Sequence, residues 1–160
     1  MNDEYWMSQA LELAQKAREI GEVPVGALVV RDQQIIASAW NAPISLCDPT
    51  AHCEILALRQ AAQKIGNYRL VDCDLYVTLE PCAMCTGAII HSRVKRLIYA
   101  ATEPKAGAIE SRLQLINEGY GNHYLEVVGG VLAEQSSNLI SSFFSERRKQ
   151  IKQQKQSSQQ

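Results

Sequence analysis

The 160-residue chain has no apolar run near the roughly 18–20 residues needed to cross a bilayer, and its start, Met1-Asn2-Asp3-Glu4, is acidic where a secretory leader is basic. These absences argue against a membrane protein or an exported one, so the expectation is a cytoplasmic chain with no membrane partner. Cysteine is sparse and odd in number, five in all, which speaks against a disulfide framework. Cys47, Cys53 and Cys73 are expected as free thiols. Charge of one sign is also missing: the net value is only −1, too small to advertise a nucleic-acid partner by itself. That average conceals a gradient. Arg147, Arg148, Lys149, Lys152 and Lys155 against Glu146 give residues 146–160 a charge of +4, which leaves −5 for the rest. Internal repeats are absent, and 46% hydrophobic with 21% charged residues is ordinary for one globular domain. We expect a single domain over residues 1–150 and a basic, disordered tail over 151–160, where there is almost nothing apolar to bury.

What is present concentrates in two short stretches. Thr78-Leu79-Glu80-Pro81-Cys82-Ala83-Met84-Cys85 offers two thiols three residues apart, and His52-Cys53-Glu54 offers an imidazole and a carboxylate. A C-x-x-C pair alone serves redox disulfides, zinc knuckles and catalytic zinc equally. Pro81 fits the first position of a helix, where its missing N–H costs nothing. Cys82 and Cys85 then share one face of the opening turn, and the positive end of the helix favours their thiolates. His52 and Glu54, two apart, converge only beyond a helix end, and Pro49-Thr50 offers a start for such a helix. One imidazole and two thiolates suit tetrahedral Zn2+ with its fourth position open to water, and Glu54 then stands beside it as acid and base. The competing reading is a closed, inert site in which Cys53 is the fourth ligand.

The remaining pattern reads as alternating elements. Trp6, Ala10, Leu13, Ala17 and Ile20 mark a helix that Gly21 ends. Val25 to Val30 is a strand buried on both faces, turned at Asp32-Gln33 into an antiparallel Ile35–Trp40. Gly26 within it either admits a ligand close to the backbone or is tolerated for packing. A helix over 51–65, a strand over 75–79, a helix over 82–91 and strands over 97–101 and 125–128 follow. Gly87-Ala88 is expected to let the second of those helices pack closely on the sheet. Leu132, Leu139, Ile140, Phe143 and Phe144 give a last amphipathic helix. The class is α/β, three layers deep, with a mixed five-stranded sheet and helices on both faces. Glu80 reads either as a solvent-facing charge or as a carboxylate near the site. His91 and His123 lack metal spacing and read as ordinary surface or satisfied histidines.

Asp48-Pro49-Thr50-Ala51-His52, Asn67-Tyr68-Arg69-Leu70, Leu75 to Cys82 and His91-Ser92-Arg93, within a likeness that runs from about Tyr5 to Arg148, closely resemble the bacterial tRNA-specific adenosine deaminases of the zinc-dependent cytidine deaminase superfamily. The resemblance implies a cytidine deaminase-like fold, one Zn2+ per subunit on His52, Cys82 and Cys85, and hydrolysis of adenosine to inosine at the wobble position. It further implies a homodimer that binds the anticodon stem-loop of tRNA. Asn41, a turn residue when read alone, corresponds to a nucleoside-binding asparagine. Glu103 and Lys105 lie in a loop that contacts the target nucleotide, with glutamate where relatives usually carry aspartate. Arg147 and Arg148 fall where RNA phosphates would be met. Relatives most often have alanine at the position of Cys53. A deaminase of free guanine or cytosine, and a non-catalytic zinc-stabilised RNA-binding module, are the other readings.

Overall fold

The computed structural model describes residues 1–118 and 124–159. Its elements in chain order are α1 (Asp3–Glu19), β1 (Gly26–Arg31), β2 (Gln34–Trp40), α2 (Cys53–Ile65), β3 (Asp74–Leu79), α3 (Ala83–Ser92), β4 (Arg96–Ala101), β5 (Glu126–Val128) and α4 (Ala133–Ser158). The strands form one sheet in the order β2-β1-β3-β4-β5. β1 pairs antiparallel with both β2 and β3, whereas β3, β4 and β5 run parallel. The mixed sheet is therefore as the sequence pattern expects. Its hairpin closes through Asp32 and Gln33, both at positive φ (52° and 60°), the conformation whose twist matches the flanking strands.

Alternation along the central strands separates two cores. Ala27, Val29, Leu75, Val77, Leu97 and Tyr99 face Ala57, Leu58 and Ala61 of α2 and Ile89 of α3. Leu28, Val30, Tyr76, Ile98 and Ala100 face Trp6, Met7, Ala10 and Leu13 of α1. Because a strand turns successive side chains to opposite faces, strands covered on both sides read as continuous apolar runs. β1 and β4 fit that description, each buried at five of six positions. Three layers result, with α2 and α3 below the sheet and α1 above it.

Gly26 has a clear purpose. A β-carbon there would lie 2.2 Å from the Ala10 carbonyl oxygen and 2.7 Å from the Ala14 nitrogen, so α1 is what approaches the backbone, and packing rather than a ligand explains the glycine. Gly87 behaves otherwise than expected: nothing lies within 4 Å of its absent side chain. The neighbouring Ala88 makes the contact with the core instead. At the far end of the sheet, Arg96 joins three elements. Its guanidinium donates to Asp3 at 2.7 Å and to Asp74 at 3.2 Å, and Tyr76 donates to the same Asp3 carboxylate at 2.7 Å.

Two boundaries differ from expectation. The helices that carry the reactive residues begin at Cys53 and Ala83, later than the expected starts, so Pro81 precedes the cap instead of opening the helix. α4 extends to Ser158, so residues 151–158 are helical where disorder was expected. Gln, Lys and Arg are good helix formers, and lengthening a helix that already exists avoids the cost of nucleation. No described helix is long and apolar enough to cross a membrane.

Candidate active site

His52 and Cys82 occupy the same structural position. Each is the N-cap of its helix, in extended conformation (φ −71°, ψ 150° and φ −75°, ψ 178°), and neither side chain caps its own helix. Cap positions normally go to Ser, Thr, Asp or Asn, whose oxygen satisfies an orphan N–H. Here the two side chains are free to point at each other across the gap between α2 and α3. Cys85, in the first turn of α3, completes the group. The sulfurs of Cys82 and Cys85 lie 3.6 and 3.5 Å from His52 Nδ1, and the three donor atoms fall within 4.8 Å of one another.

These distances test the metal. Zn–S bonds of about 2.3 Å and Zn–N bonds of about 2.0–2.1 Å at a tetrahedral angle put nitrogen and sulfur about 3.6 Å apart. The residues fit zinc both in donor chemistry and in spacing. The hydrogen bond it accepts from Cys85, assisted by His52, pulls the Cys82 thiol down to about 4, while that bond and burial push Cys85 up.

Cys53 takes no part. It is fully buried in the core beneath α2, its thiol donates to Glu54 Oε1 at 3.1 Å, and it stands outside the three-donor group. The closed four-ligand arrangement is not the one the chain adopts. Glu54 itself is 4% exposed, and burial raises its carboxyl above the ordinary value.

A cavity of about 360 Å³ opens over this group, lined by Val23, Val25, Asn41, Pro43, Ile44, His52, Glu54, Leu79, Cys82, Glu103 and Ala106, with Glu22 and Glu80 at its sides. The volume lies within the roughly 300–1,000 Å³ of small-molecule sites. Four surface hollows of about 430–550 Å³ are larger, among them one near Arg69, Arg93 and Lys95 and one beside Tyr99. None contains the His/Cys group, so chemistry and not size marks the site.

Of the other anticipated residues, Asn41 and Glu103 line this cavity and Lys105, Arg147 and Arg148 do not. Asn41 Oδ1 accepts the N–H of Cys53 at 2.8 Å. It thereby caps α2 in place of His52, and its amide N–H groups are left to face a ligand. Glu103 accepts the Lys105 N–H at 2.9 Å. Arg147 lies on α4 with its guanidinium 6.0 Å from the Phe143 ring centre. His91 is exposed in the last turn of α3, and His123 lies outside the described residues.

Two carboxylates define the cavity in a way that spacing did not reveal. Glu22, 2% exposed, accepts the N–H of Ile44 at 3.3 Å and the N–H and hydroxyl of Ser45 at 2.7 Å each. Glu80, also 2% exposed, is neither a solvent-facing charge nor free to react. It accepts the N–H groups of Glu103, Ile109, Glu110 and Ser111 at 2.9–3.1 Å, together with the Ser111 hydroxyl. Burial alone would push its carboxyl up, but those donors outweigh it and hold the group below its ordinary value. The only signal in sequence is an acid next to an element end, too common to single out.

A family model for MafB19-like deaminases matches residues 1–148. The tRNA-specific adenosine deaminase of Haemophilus influenzae is 54% identical over 151 residues, spanning 94% of this chain and 87% of that protein. A solved structure of a tRNA:A34 deaminase, described for A-to-I editing at the wobble position of transfer RNA, superposes with a TM-score of 0.82 at 41% identity, over 84% of this chain and 98% of that one. The guanine deaminase of Bacillus subtilis is more distant in shape, with a TM-score of 0.63 at 37% identity over 76% and 72% of the two chains. On these matches the chain belongs to the MafB19-like deaminase family, among the tRNA-specific adenosine deaminases.

Proposed function

We propose that the chain hydrolyses adenosine to inosine at the wobble position of a tRNA anticodon, with Zn2+ held by His52, Cys82 and Cys85. The observation that carries this reading is the buried Glu54 carboxylate beside the three-donor group at the floor of a cavity with apolar walls. Bound there, zinc supplies Lewis acidity that brings the ionisation of a water molecule to near neutral pH. The chain's own residues do the rest. Glu54 takes the first proton that this water loses and delivers it to a ring nitrogen of the adenine, then takes the second from the hydroxyl left on C6 and passes it to the departing amine, so that water enters and ammonia leaves. Val23, Val25, Ile44 and Leu79 exclude bulk water and give the base apolar surfaces to stack upon. Asn41, whose oxygen is already engaged by α2, donates its amide hydrogens to acceptors on the nucleoside.

The base must leave its stack to reach such a cavity, which costs least in a single-stranded loop such as an anticodon. Glu103 and Lys105 on the rim contact the nucleotide, and Arg147 and Arg148 on α4 meet phosphates. A homodimer working in the cytoplasm completes the reading, as the family resemblance of the sequence implies. The likeness to guanine deaminase favours one alternative, a free-purine deaminase on the same zinc chemistry. The deciding experiment follows inosine formation in an anticodon stem-loop with adenine at the wobble position, comparing the intact protein with Glu54→Ala at equal zinc content. Conversion by the former and a loss of about 10²–10⁴-fold in the latter is expected. Deamination of free guanine with none of the stem-loop would overturn the RNA assignment.

A further inference from the structure

We infer that Glu80 is a positioning residue for substrate recognition: its carboxylate fixes the segment 102–111 against the metal-binding turn, and so sets the width of the cavity between Cys82 and the wall of Glu103 and Ala106. The inference rests on the adenosine-in-RNA reading for its substrate, but its structural part is independent of that reading.

The geometry decides between a catalytic and a positioning role. A carboxylate has about four lone-pair sites, and Glu80 already accepts five donors. Oε1 takes the Glu103 N–H and the Ser111 hydroxyl, and Oε2 takes the N–H groups of Ile109, Glu110 and Ser111. No acceptor capacity is left for a substrate, although the side chain borders the cavity. What the bonds do is gather both ends of one loop onto a single point. Glu103 stands at its start, directly on the cavity wall, and Ser111 eight residues later.

That point is not arbitrary. Glu80 stands two residues before Cys82, its own N–H donates to the Ala101 carbonyl at 2.8 Å, and the Ala108 N–H donates to the carbonyl of Pro81 at 2.8 Å. The loop is therefore referenced to the turn that presents the first thiolate. Gly107 completes the fit, because a β-carbon there would lie 2.3–2.4 Å from the Glu80 carboxyl atoms. The loop closes over the carboxylate only where a side chain is missing. Glu80 thus acts on the substrate through Glu103 and Ala106, at a distance fixed by the metal end of the cavity.

Two variants test this from opposite sides. Glu80→Gln replaces one acceptor oxygen by an NH2 group that confronts backbone N–H donors, and Gly107→Ala leaves the carboxylate intact but forces the loop away. Each is measured for zinc content, for KM and kcat on the wobble-adenine stem-loop, and for amide hydrogen exchange. Both are expected to keep stoichiometric zinc and to raise KM roughly tenfold to a hundredfold, the scale of losing charge-assisted hydrogen bonds, with a smaller change in kcat. Exchange at the amides of Glu103, Ile109, Glu110 and Ser111 should accelerate while that of Ile44 and Ser45 stays slow. A fall in kcat at constant KM, a loss of zinc, or unchanged exchange at those four amides would each overturn the inference. Should Glu80→Gln fail to fold, Gly107→Ala carries the same criteria. If the wild-type protein leaves the stem-loop unconverted, the substrate reading fails, and the exchange pattern alone decides the positioning role.

Discussion

The two walls of the cavity are built alike and loaded differently. Each is a loop beyond a strand end, pinned by a buried carboxylate that accepts backbone N–H groups: Glu22 holds the turn at Ile44 and Ser45, and Glu80 holds residues 103 and 109–111. The first wall runs on into α2, where Asn41 caps the helix and His52 and Glu54 leave it. The second carries no metal donor. Displacing the first wall should therefore disturb the chemistry, and displacing the second should disturb recognition.

The sharpest way to break this contrast is Glu22→Gln. Its donors lie on the segment that leads to His52 and Glu54, so kcat should fall by roughly tenfold to a hundredfold with KM changing less, the reverse of Glu80→Gln. Steady-state kinetics on the same stem-loop settle it, and equal KM effects in the two variants would dissolve the distinction. A smaller effect is expected for Asn41→Ala. Loss of a helix cap costs about 1 kcal/mol of stability, and loss of a donor to the nucleoside should raise KM about fivefold to tenfold; thermal unfolding and kinetics read the two separately. The smallest effect belongs to the far end of the sheet, which touches neither wall. Arg96 donates to Asp3 and holds its carboxyl below the ordinary 3.8. A depressed pKa contributes stability that is present above 3.8 and is lost as pH falls through the lowered value. Asp3→Asn should cost no more than about 1 kcal/mol at pH 7, a shift of roughly 3 °C, with kcat and KM unchanged. The gap from wild type should close as the pH drops below 3.8. A gap that persists in acid would deny the pairing its role.

The sequence made the reactive group legible because metal donors obey short spacings: Cys82 and Cys85 share a turn, and His52 and Glu54 sit two apart at a helix start. The layers were legible too, since Leu28 and Val29, or Tyr76 and Val77, are apolar in succession and so require cover on both faces. The helix starts were misplaced by one or two residues for a physical reason. His52 and Cys82 stand where a capping oxygen normally announces a helix, so the usual signal was replaced by the ligands themselves. Glu22 carries no signal in the sequence, and Glu80 reads equally as a solvent-facing charge or a carboxylate near the site, because their partners lie 22–31 residues away and no local period records such a bond. The far end of α4 was misread because a polar, charged segment has the composition of a solvated chain and of a well-propagated helix alike.

Chain order adds a dimension that the finished geometry conceals. The hydrogen bonds that Glu22 and Asn41 accept in the first wall join residues between Glu22 and Cys53, whereas the second wall needs Ser111 to meet Glu80. Synthesis proceeds from the N-terminus at about 5–20 residues per second. The residues of the first wall are therefore all synthesised before Cys82 and Cys85, and those of the second wall after them, so the wall that measures the substrate is the last part of the cavity to be made.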